Sequence, residues 1–298
     1  MTTEPLDNPL HAEFYADHSI HQVVTVVENR QVADETWRLR FRCPAIASKI
    51  KPGQFVMLKL NDLNDPLIGR PLAMYDLQQD ENGNVTDIDV IYLVKGNLTT
   101  RLVRFHPGQQ LDVWGPLGNG FVPIATRHLI MVAGGIGQTP FLSLAREYLG
   151  TYDYGRNCPR ADQVTFCYGA QHAGRLACVQ DFEQLGVHTR ICTDDGSAGF
   201  HGLVTEVLEQ AMDEDRENHG DAQGVQIVCC GPEPMMQAVA EVAQQHSVPC
   251  QVSLETPMAC GIGICFSCVT RCKEPDGTWD YKRTCVDGPV FDSEKIVW

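Results

Sequence analysis

Four cysteines near the C-terminus carry the clearest chemical signal in this chain of 298 residues. Cys260, Cys265 and Cys268 follow one another in the order C-x4-C-x2-C, and Cys285 comes further along the chain. This is the plant-type spacing for a [2Fe–2S] cluster, in which thiolates from a folded-back loop converge on two irons. The sequence therefore predicts these four cysteines as the ligands of a [2Fe–2S] cluster.

The residues around these cysteines suit a loop that folds around inorganic sulfide. Gly261 and Gly263 tolerate positive φ and let backbone N–H groups approach the sulfurs. A turn signal at residues 275–277, Pro-Asp-Gly, allows the chain to return with the fourth thiol. Cys272 lies outside the spacing, and we expect it to be a bystander.

Two alternatives to a cluster stay open at this point. Zinc sites usually combine two short C-x2-4-C or H-x3-5-H pairs, whereas this chain has one tight triplet and a lone partner. The ten histidines show no metal-binding spacing. Disulfides or inert thiols are disfavoured because nothing in the sequence indicates export.

Composition excludes several classes of function. A net charge of −15 argues against nucleic acid and anionic membrane surfaces as partners and is compatible with a basic protein partner. Residues 1–7 are polar and acidic with no apolar segment behind them, and no apolar run approaches the length of a membrane span. We expect a cytoplasmic protein whose thirteen cysteines stay mostly reduced.

The chain divides into three regions with different patterns of apolar and turn-forming residues. Residues 21–123 show short β-type runs separated by Gly and Pro turns, which predicts an antiparallel barrel. Residues 128–249 repeat the order apolar strand, glycine turn, helix, which is typical of a parallel α/β domain. The prediction is an α+β multidomain protein with domains at 1–125, 126–250 and 251–298, the last a small iron–sulfur module.

Two turns in the second region are candidate nucleotide-binding elements. The first follows an apolar strand at 128–133 and opens a helix, so its glycines let the backbone approach a pyrophosphate at a helix N-terminus. Its candidate residues are Gly134, Gly135, Gly137, Thr139 and Pro140. Glycine turns are common in α/β folds, so this motif alone is a weak signal.

The second turn follows the strand at 225–228 and reads C-G-P-x-x-M. It stands at the carboxyl end of a strand, where open α/β sheets bind ligands. Its candidate residues are Cys230, Gly231, Pro232 and Met235. The alternative is that Gly231 and Pro232 merely end the strand and begin a helix.

The barrel region carries motifs with a specific resemblance. One is the R-P-L-A-M run at 70–74, and the other is the run at 92–102 with its G-x-x-T turn. They resemble those of ferredoxin reductase-type flavoproteins, in which such motifs bind FAD. The resemblance implies FAD contacts at Arg70, Pro71, Leu72, Ala73, Tyr92, Leu93, Val94, Thr99 and Thr100. Arg70 inherits the contact to the flavin phosphates, and Ala73 stands where the family usually has a hydroxyl residue.

The C-terminal module, M-A-C-G-I-G-x-C-x-x-C with the later run at 285–291, most resembles the electron-transfer subunit of class 1B dihydroorotate dehydrogenase. The resemblance implies an oxidoreductase subunit that passes electrons between a [2Fe–2S] cluster, FAD and NAD(H). Cys230 would lie near the nicotinamide. The implied partner is an FMN-containing dihydroorotate dehydrogenase catalytic subunit in a heterotetramer, which serves pyrimidine biosynthesis.

Two other functions are compatible with these residues. One is an NAD(P)H:ferredoxin reductase subunit of a hydrogenase or transhydrogenase complex. The other is a zinc-containing nucleotide-binding regulatory module. For the cofactor, Arg175 would favour a 2′-phosphate whereas Asp194 and Asp195 would oppose one, and the resemblance favours NAD.

Overall fold

The computed structural model describes residues 16–61 and 66–298. Six antiparallel strands close a barrel in the order β1-β2-β5-β4-β3-β6. Their bounds are β1 (Ile20–Ala33), β2 (Thr36–Arg42), β3 (Phe55–Leu60), β4 (Arg70–Gln79), β5 (Val85–Leu93) and β6 (Gln110–Leu117). On β6 the buried Leu111 and Val113 alternate with Gln110 and Asp112, so one face fills the barrel interior. Short helices α1 (Pro44–Ala47) and α2 (Asn97–Leu102) connect strands.

A seven-stranded sheet forms the second region, in the order β10-β9-β8-β7-β11-β12-β15. Its strands up to β12 are parallel: β7 (His128–Gly134), β8 (Gln163–Ala170), β9 (His188–Thr193), β10 (Phe200–His201), β11 (Val225–Cys230) and β12 (Cys250–Ser253). The helices are α3 (Phe141–Tyr148), α4 (Val179–Gln184), α5 (Val204–His219) and α6 (Glu233–Gln245). The central strands are buried along nearly their whole length, as parallel strands covered on both faces require.

The C-terminal region is attached to this sheet. An antiparallel hairpin joins β13 (Val269–Lys273) to β14 (Trp279–Arg283), and β15 (Val290–Asp292) pairs antiparallel with β12. Cys272 on β13 is buried against the core of the α/β region and not in the apolar cluster that holds Cys268 and Cys285. The predicted α+β fold class with its three regions is confirmed. The domain boundaries stay a prediction, and the one after residue 250 falls inside β12.

Ion pairs join the barrel to the α/β region. The Arg38 guanidinium donates to Asp181 at 3.0 Å, and the Tyr75 hydroxyl donates to the same carboxylate at 2.8 Å. A second pair joins Arg146 of α3 to Asp76 of β4 at 3.1 Å. Burial raises the pKa of Asp76 to about 6, and the Arg146 charge opposes that rise. Because breaking a buried ion pair is costly, these contacts hold the two regions in one relative orientation.

No helix in residues 16–61 and 66–298 is long and apolar enough to span a bilayer.

Candidate functional site

A cavity of about 940 Å³ lies where the barrel, the α/β region and the C-terminal module meet. The barrel contributes Gly53, Phe55, Ile68, Arg70, Pro71, Leu72, Ala73, Ile91, Tyr92, Leu93, Lys95, Gly96 and Thr99. The α/β region and the C-terminal module contribute Ile136, Gly137, Thr139, Pro140, Cys230, Ser253, Leu254, Glu255, Thr256, Pro257, Met258, Ala259, Ser267 and Pro289. The volume is at the upper end of the range for small-molecule sites.

The cavity brings together part of each predicted motif. Its wall includes Arg70, Pro71, Leu72, Ala73, Tyr92, Leu93, Thr99, Gly137, Thr139, Pro140 and Cys230. Other predicted site residues lie outside that wall, namely Val94, Thr100, Gly134, Gly135, Gly231, Pro232 and Met235. Gly231 and Pro232 instead line a smaller cavity of about 320 Å³.

The two turns of the α/β region pack directly against each other. A Cβ atom on Gly137 would lie 2.2 Å from the Cys230 carbonyl oxygen, and one on Gly134 would lie 2.5 Å from the Met235 sulfur. These contacts give Gly134 and Met235 a packing role that brings the turns together. Gly135 differs, because it has a φ of +55° and nothing within 4 Å of its Cβ position. A ligand can therefore approach the backbone at Gly135.

Arg70 is placed to meet an anion. It begins β4, is half-buried, and donates from Nη1 to the Gly69 carbonyl at 3.1 Å. Among residues 16–61 and 66–298, no carboxylate pairs with its guanidinium. No carboxylate in those described ranges therefore competes with a phosphate for its charge.

Thr99 shapes the turn that enters α2. Its hydroxyl accepts from the backbone N–H groups of Lys95 at 3.0 Å and Gly96 at 3.1 Å. The same hydroxyl donates to the Gly96 carbonyl at 3.2 Å. Thr99 therefore holds the backbone at the cavity wall, and Thr100 is exposed away from it.

Two cavity residues with acidic protons stay neutral at physiological pH. The Tyr92 hydroxyl donates to Asn29 at 3.0 Å, and burial raises the pKa of Tyr92. Burial, and next the nearby Glu255 carboxylate, raise the pKa of Cys230 to about 12. The Cys230 thiol is thus protonated and unsuited to act as a nucleophile, which agrees with a positioning role.

The four predicted ligands lie in one loop and at the start of the segment that follows β14. Cys268 and Cys285 are buried with their sulfurs 3.2 Å apart, Cys260 is half-buried, and Cys265 is exposed with its sulfur 3.2 Å from the Ser267 hydroxyl. The hydrogen bond between the buried sulfurs lowers the pKa of Cys268 to about 6 and raises that of Cys285. The hydrogen bond to Ser267 lowers the pKa of Cys265 to about 6.

This donor set fits an iron–sulfur cluster. It consists of thiols alone, which is the donor set of a plant-type [2Fe–2S] cluster. Gly261 and Gly263 have φ values of +73° and +81°, as the sequence predicts. A Cβ on Gly261 would lie 2.5 Å from Met57 of β3, so the loop rests directly on the barrel.

Family models match three successive stretches of the chain. Residues 23–121 match an oxidoreductase FAD-binding domain and residues 131–241 an oxidoreductase NAD-binding domain. Residues 255–297 match the iron–sulfur cluster binding domain of dihydroorotate dehydrogenase B. The dihydroorotate dehydrogenase B (NAD(+)) electron transfer subunit of Desulforamulus reducens is 34% identical over 268 residues, which cover 90% of this chain and 94% of that protein. The chain belongs to the family of dihydroorotate dehydrogenase B electron transfer subunits.

A second member of this family, from Bacillus caldolyticus, is 35% identical over 278 residues, 92% of this chain and 97% of that protein. Among solved structures, the NADH-dependent reduced ferredoxin-NADP oxidoreductase aligns with a TM-score of 0.73 at 26% identity, covering 93% of this chain and 90% of that one. The ferredoxin reductase of carbazole 1,9a-dioxygenase, at TM-score 0.61 and 19% identity, covers 78% and 67% and shares the fold. The predicted FAD, NAD(H) and iron–sulfur cofactors are confirmed.

Sequence reasoning did not assign several cavity residues of this family member to the site. Met258, Ala259 and Ser267 line the wall and are chain neighbours of cluster cysteines, so their adjacency to the cysteine motif was the available signal. Ser253 and Glu255 belong to none of the sequence motifs. They reach the cavity because β12 runs beside β11 in the sheet.

Gln138, in the glycine turn, is fully buried, and neither polar atom of its side-chain amide has a partner in the described structure. An unpaired buried polar group costs about 1–3 kcal/mol. We therefore expect Gln138→Met, which keeps the side-chain volume, to raise the free energy of unfolding by about 1–3 kcal/mol in urea titrations. Gln226→Met is the matched control, because Gln226 is also buried but accepts from the Tyr148 hydroxyl at 2.8 Å, and its loss lowers stability. A destabilised Gln138→Met protein would show that the amide is paired after all.

Proposed function

We propose that this chain carries electrons between a [2Fe–2S] cluster, FAD and NAD(H), and that it delivers electrons from dihydroorotate oxidation on a partner subunit to NAD+ in pyrimidine biosynthesis. The observation that carries the proposal is the single cavity that all three cofactor regions share. A bound flavin exchanges two electrons with a nicotinamide and single electrons with a cluster. The chain's own residues bind and orient these groups.

The barrel side of the cavity would hold the flavin. Arg70 supplies a positive charge for its phosphates that no carboxylate of residues 16–61 and 66–298 pairs with, and the backbone of β4 from Pro71 to Ala73 forms the adjoining wall. Ala73 offers no hydroxyl, so only main-chain groups are available at that position. Tyr92 and Leu93 provide apolar surface on the neighbouring strand.

The turns at Gly135–Pro140 and Cys230 would hold the nicotinamide nucleotide. Cys230, whose thiol is neutral, lines the cavity, where it can fix the position of a ring beside the flavin. Arg175, the candidate to bind a 2′-phosphate, is paired with Glu35 across the two regions. Exposed carboxylates at Asp194 and Asp195 follow β9 and oppose a second phosphate. Both observations support NAD over NADP.

The cluster would lie directly behind the cavity wall. Met258 and Ala259 line the cavity and lead into Cys260, and Ser267 lines it next to Cys268. Electrons thus have a short route through one shared wall, with Cys260, Cys265, Cys268 and Cys285 as ligands. No residue of the chain has to transfer a proton in this relay.

The partner that we propose is an FMN-containing dihydroorotate dehydrogenase catalytic subunit, assembled with this chain as a heterotetramer. Ile264 and Phe266 flank Cys265 and expose 66% and 62% of their surfaces. An exposed apolar patch of this kind beside a redox centre is suited to a protein interface. All thirteen cysteines are free, which supports our proposal of a cytoplasmic location.

The test is anaerobic purification followed by visible spectra before and after NADH, with iron, sulfide and flavin measured per chain. We expect flavin bands together with two irons and two sulfides, bleached by NADH. Addition of a dihydroorotate dehydrogenase catalytic subunit, dihydroorotate and NAD+ to the oxidised protein should yield orotate and NADH. Electron exchange with ferredoxin but none with that subunit would favour the ferredoxin reductase alternative, which the 26% identity to the ferredoxin-NADP oxidoreductase keeps open.

Arg70→Ala should weaken FAD binding about tenfold to a hundredfold, because a hydrogen bond to a charged group is worth about 1.5–3 kcal/mol. Flavin fluorescence after serial dilution measures the dissociation constant. Arg104→Ala is the matched control, since Arg104 is an exposed barrel arginine outside the cavity. Equal FAD affinity in both variants would remove Arg70 from the site.

A further inference from the structure

Two side chains from outside the loop that carries Cys260, Cys265 and Cys268 donate hydrogen bonds to its carbonyl oxygens. Trp114, on β6 of the barrel, donates from Nε1 to the Cys260 carbonyl at 2.9 Å. Arg283, at the end of β14, donates from Nη1 to the Gly263 carbonyl at 3.0 Å. The two donors come from different parts of the fold, so the loop is clamped between the barrel and the C-terminal hairpin.

The N–H groups of the same loop are directed at the thiols. The Ile262 nitrogen lies 3.4 Å from the Cys260 sulfur, and the Gly263 backbone hydrogen-bonds the Cys285 thiol. In a trans peptide unit the C=O and N–H groups point in opposite directions. The two clamped peptide units, which carry the N–H groups of Gly261 and Ile264, lie on either side of the Ile262 and Gly263 N–H groups. The backbone that directs those two N–H groups is therefore held at both ends.

Both donors are themselves held in place. The Trp114 ring packs so closely on Gly69 that a Cβ there would lie 2.7 Å from ring atom Cη2, and the ring borders the apolar cluster containing Cys268. The Arg283 guanidinium lies 5.2 Å from the centre of the Phe266 ring and 3.4 Å from the Asp287 carboxylate. These contacts therefore fix the positions of both donor side chains, Trp114 and Arg283.

We propose that Trp114 and Arg283 are positioning residues that set the reduction potential of the cluster by keeping loop carbonyls outward and N–H groups toward the sulfurs. A cluster that accepts one electron gains negative charge, which N–H donors to its sulfurs stabilise, so these donors raise the potential. This inference rests on the proposed function through its assignment of the cluster ligands. It predicts that loss of either clamp makes reduction harder.

The experiment is a redox titration of the full chain with its cluster, followed by electron paramagnetic resonance of the reduced cluster. Trp114→Phe keeps an aromatic ring and removes the N–H donor. We expect a shift to more negative potential and altered g-values with iron and FAD content unchanged. Trp279→Phe is the matched control, because Trp279 is exposed on β14 and outside the cluster loop. The reduction potential of the cluster in this variant should equal that in the parent chain.

An unchanged or more positive potential in Trp114→Phe at full iron content overturns the proposal. Where that variant holds less iron than the parent chain, Arg283→Lys decides, because lysine keeps the charge and loses the planar guanidinium fork. A more negative potential in Arg283→Lys supports the clamp, and an unchanged or more positive one overturns it. A parent chain without iron and sulfide would instead overturn the ligand assignment, so the two failures are distinct.

Discussion

Cys265→Ala should abolish the cluster and leave the flavin in place. Cys265 is exposed and contributes little to the apolar core, so its removal should leave folding intact while taking away one of four thiolate ligands. Iron and sulfide per chain should fall to background. FAD content and NADH-driven reduction of a two-electron dye should stay within about twofold of the parent, because the flavin cavity wall does not include Cys265.

Cys272→Ala is the matched control for this experiment. Cys272 lies only three residues beyond Cys268 and is the obvious substitute ligand, yet it is 4% exposed and packs against Ile296 in another part of the core. We expect its variant to keep two irons per chain at some cost in stability. If Cys272→Ala lost its iron and Cys265→Ala kept it, the assignment of ligands would be wrong.

The large elements of the fold could be predicted because their signals are local. Period-two alternation marks barrel strands such as β6, and unbroken apolar runs mark buried parallel strands such as β7. Gly and Pro at the turns separate them. The cysteine spacing is equally local, which explains why the cofactor prediction and the fold class were confirmed.

Features that depend on long-range packing gave no such signal. The three-residue strand β15 pairs antiparallel with β12 and ties the C-terminal module to the α/β sheet. A three-residue strand is too short to show a periodic pattern of apolar residues. The sequence therefore predicts the C-terminal module as a separate domain. The hydrogen bond from Trp114 to the Cys260 carbonyl joins residues 146 positions apart, so no local sequence pattern predicts it.

The division of roles among motif residues also required the structure. In sequence, Gly134, Gly135 and Gly137 are equivalent glycines of one turn. In the fold, Gly134 makes room for Met235 and Gly137 for the Cys230 carbonyl, while Gly135 alone faces open space. Which glycine serves packing and which serves a ligand depends on what the second turn places beside each one.

Gly137→Ala should therefore be the most damaging single-methyl change at the nucleotide turns. Its Cβ would lie 2.2 Å from the Cys230 carbonyl oxygen, a backbone atom that cannot rotate away as a flexible side chain can. Overpacking of this kind costs about 1–3 kcal/mol or more and would separate the two turns. We expect kcat/KM for NADH to fall at least about tenfold, with FAD content unchanged.

Gly135→Ala separates steric clash from backbone strain in the same turn. Gly135 has a φ of +55° and open space at its Cβ position, so alanine there adds strain without a collision. The melting temperature should therefore fall further in Gly137→Ala than in Gly135→Ala. NADH kinetics then report separately on ligand approach, since Gly137 lines the cavity whereas Gly135, outside that wall, has open space at its Cβ position. A Gly137→Ala protein with parental NADH kinetics would mean that contact between the turns is unnecessary for nucleotide use, and that Cys230 acts independently of the glycine turn.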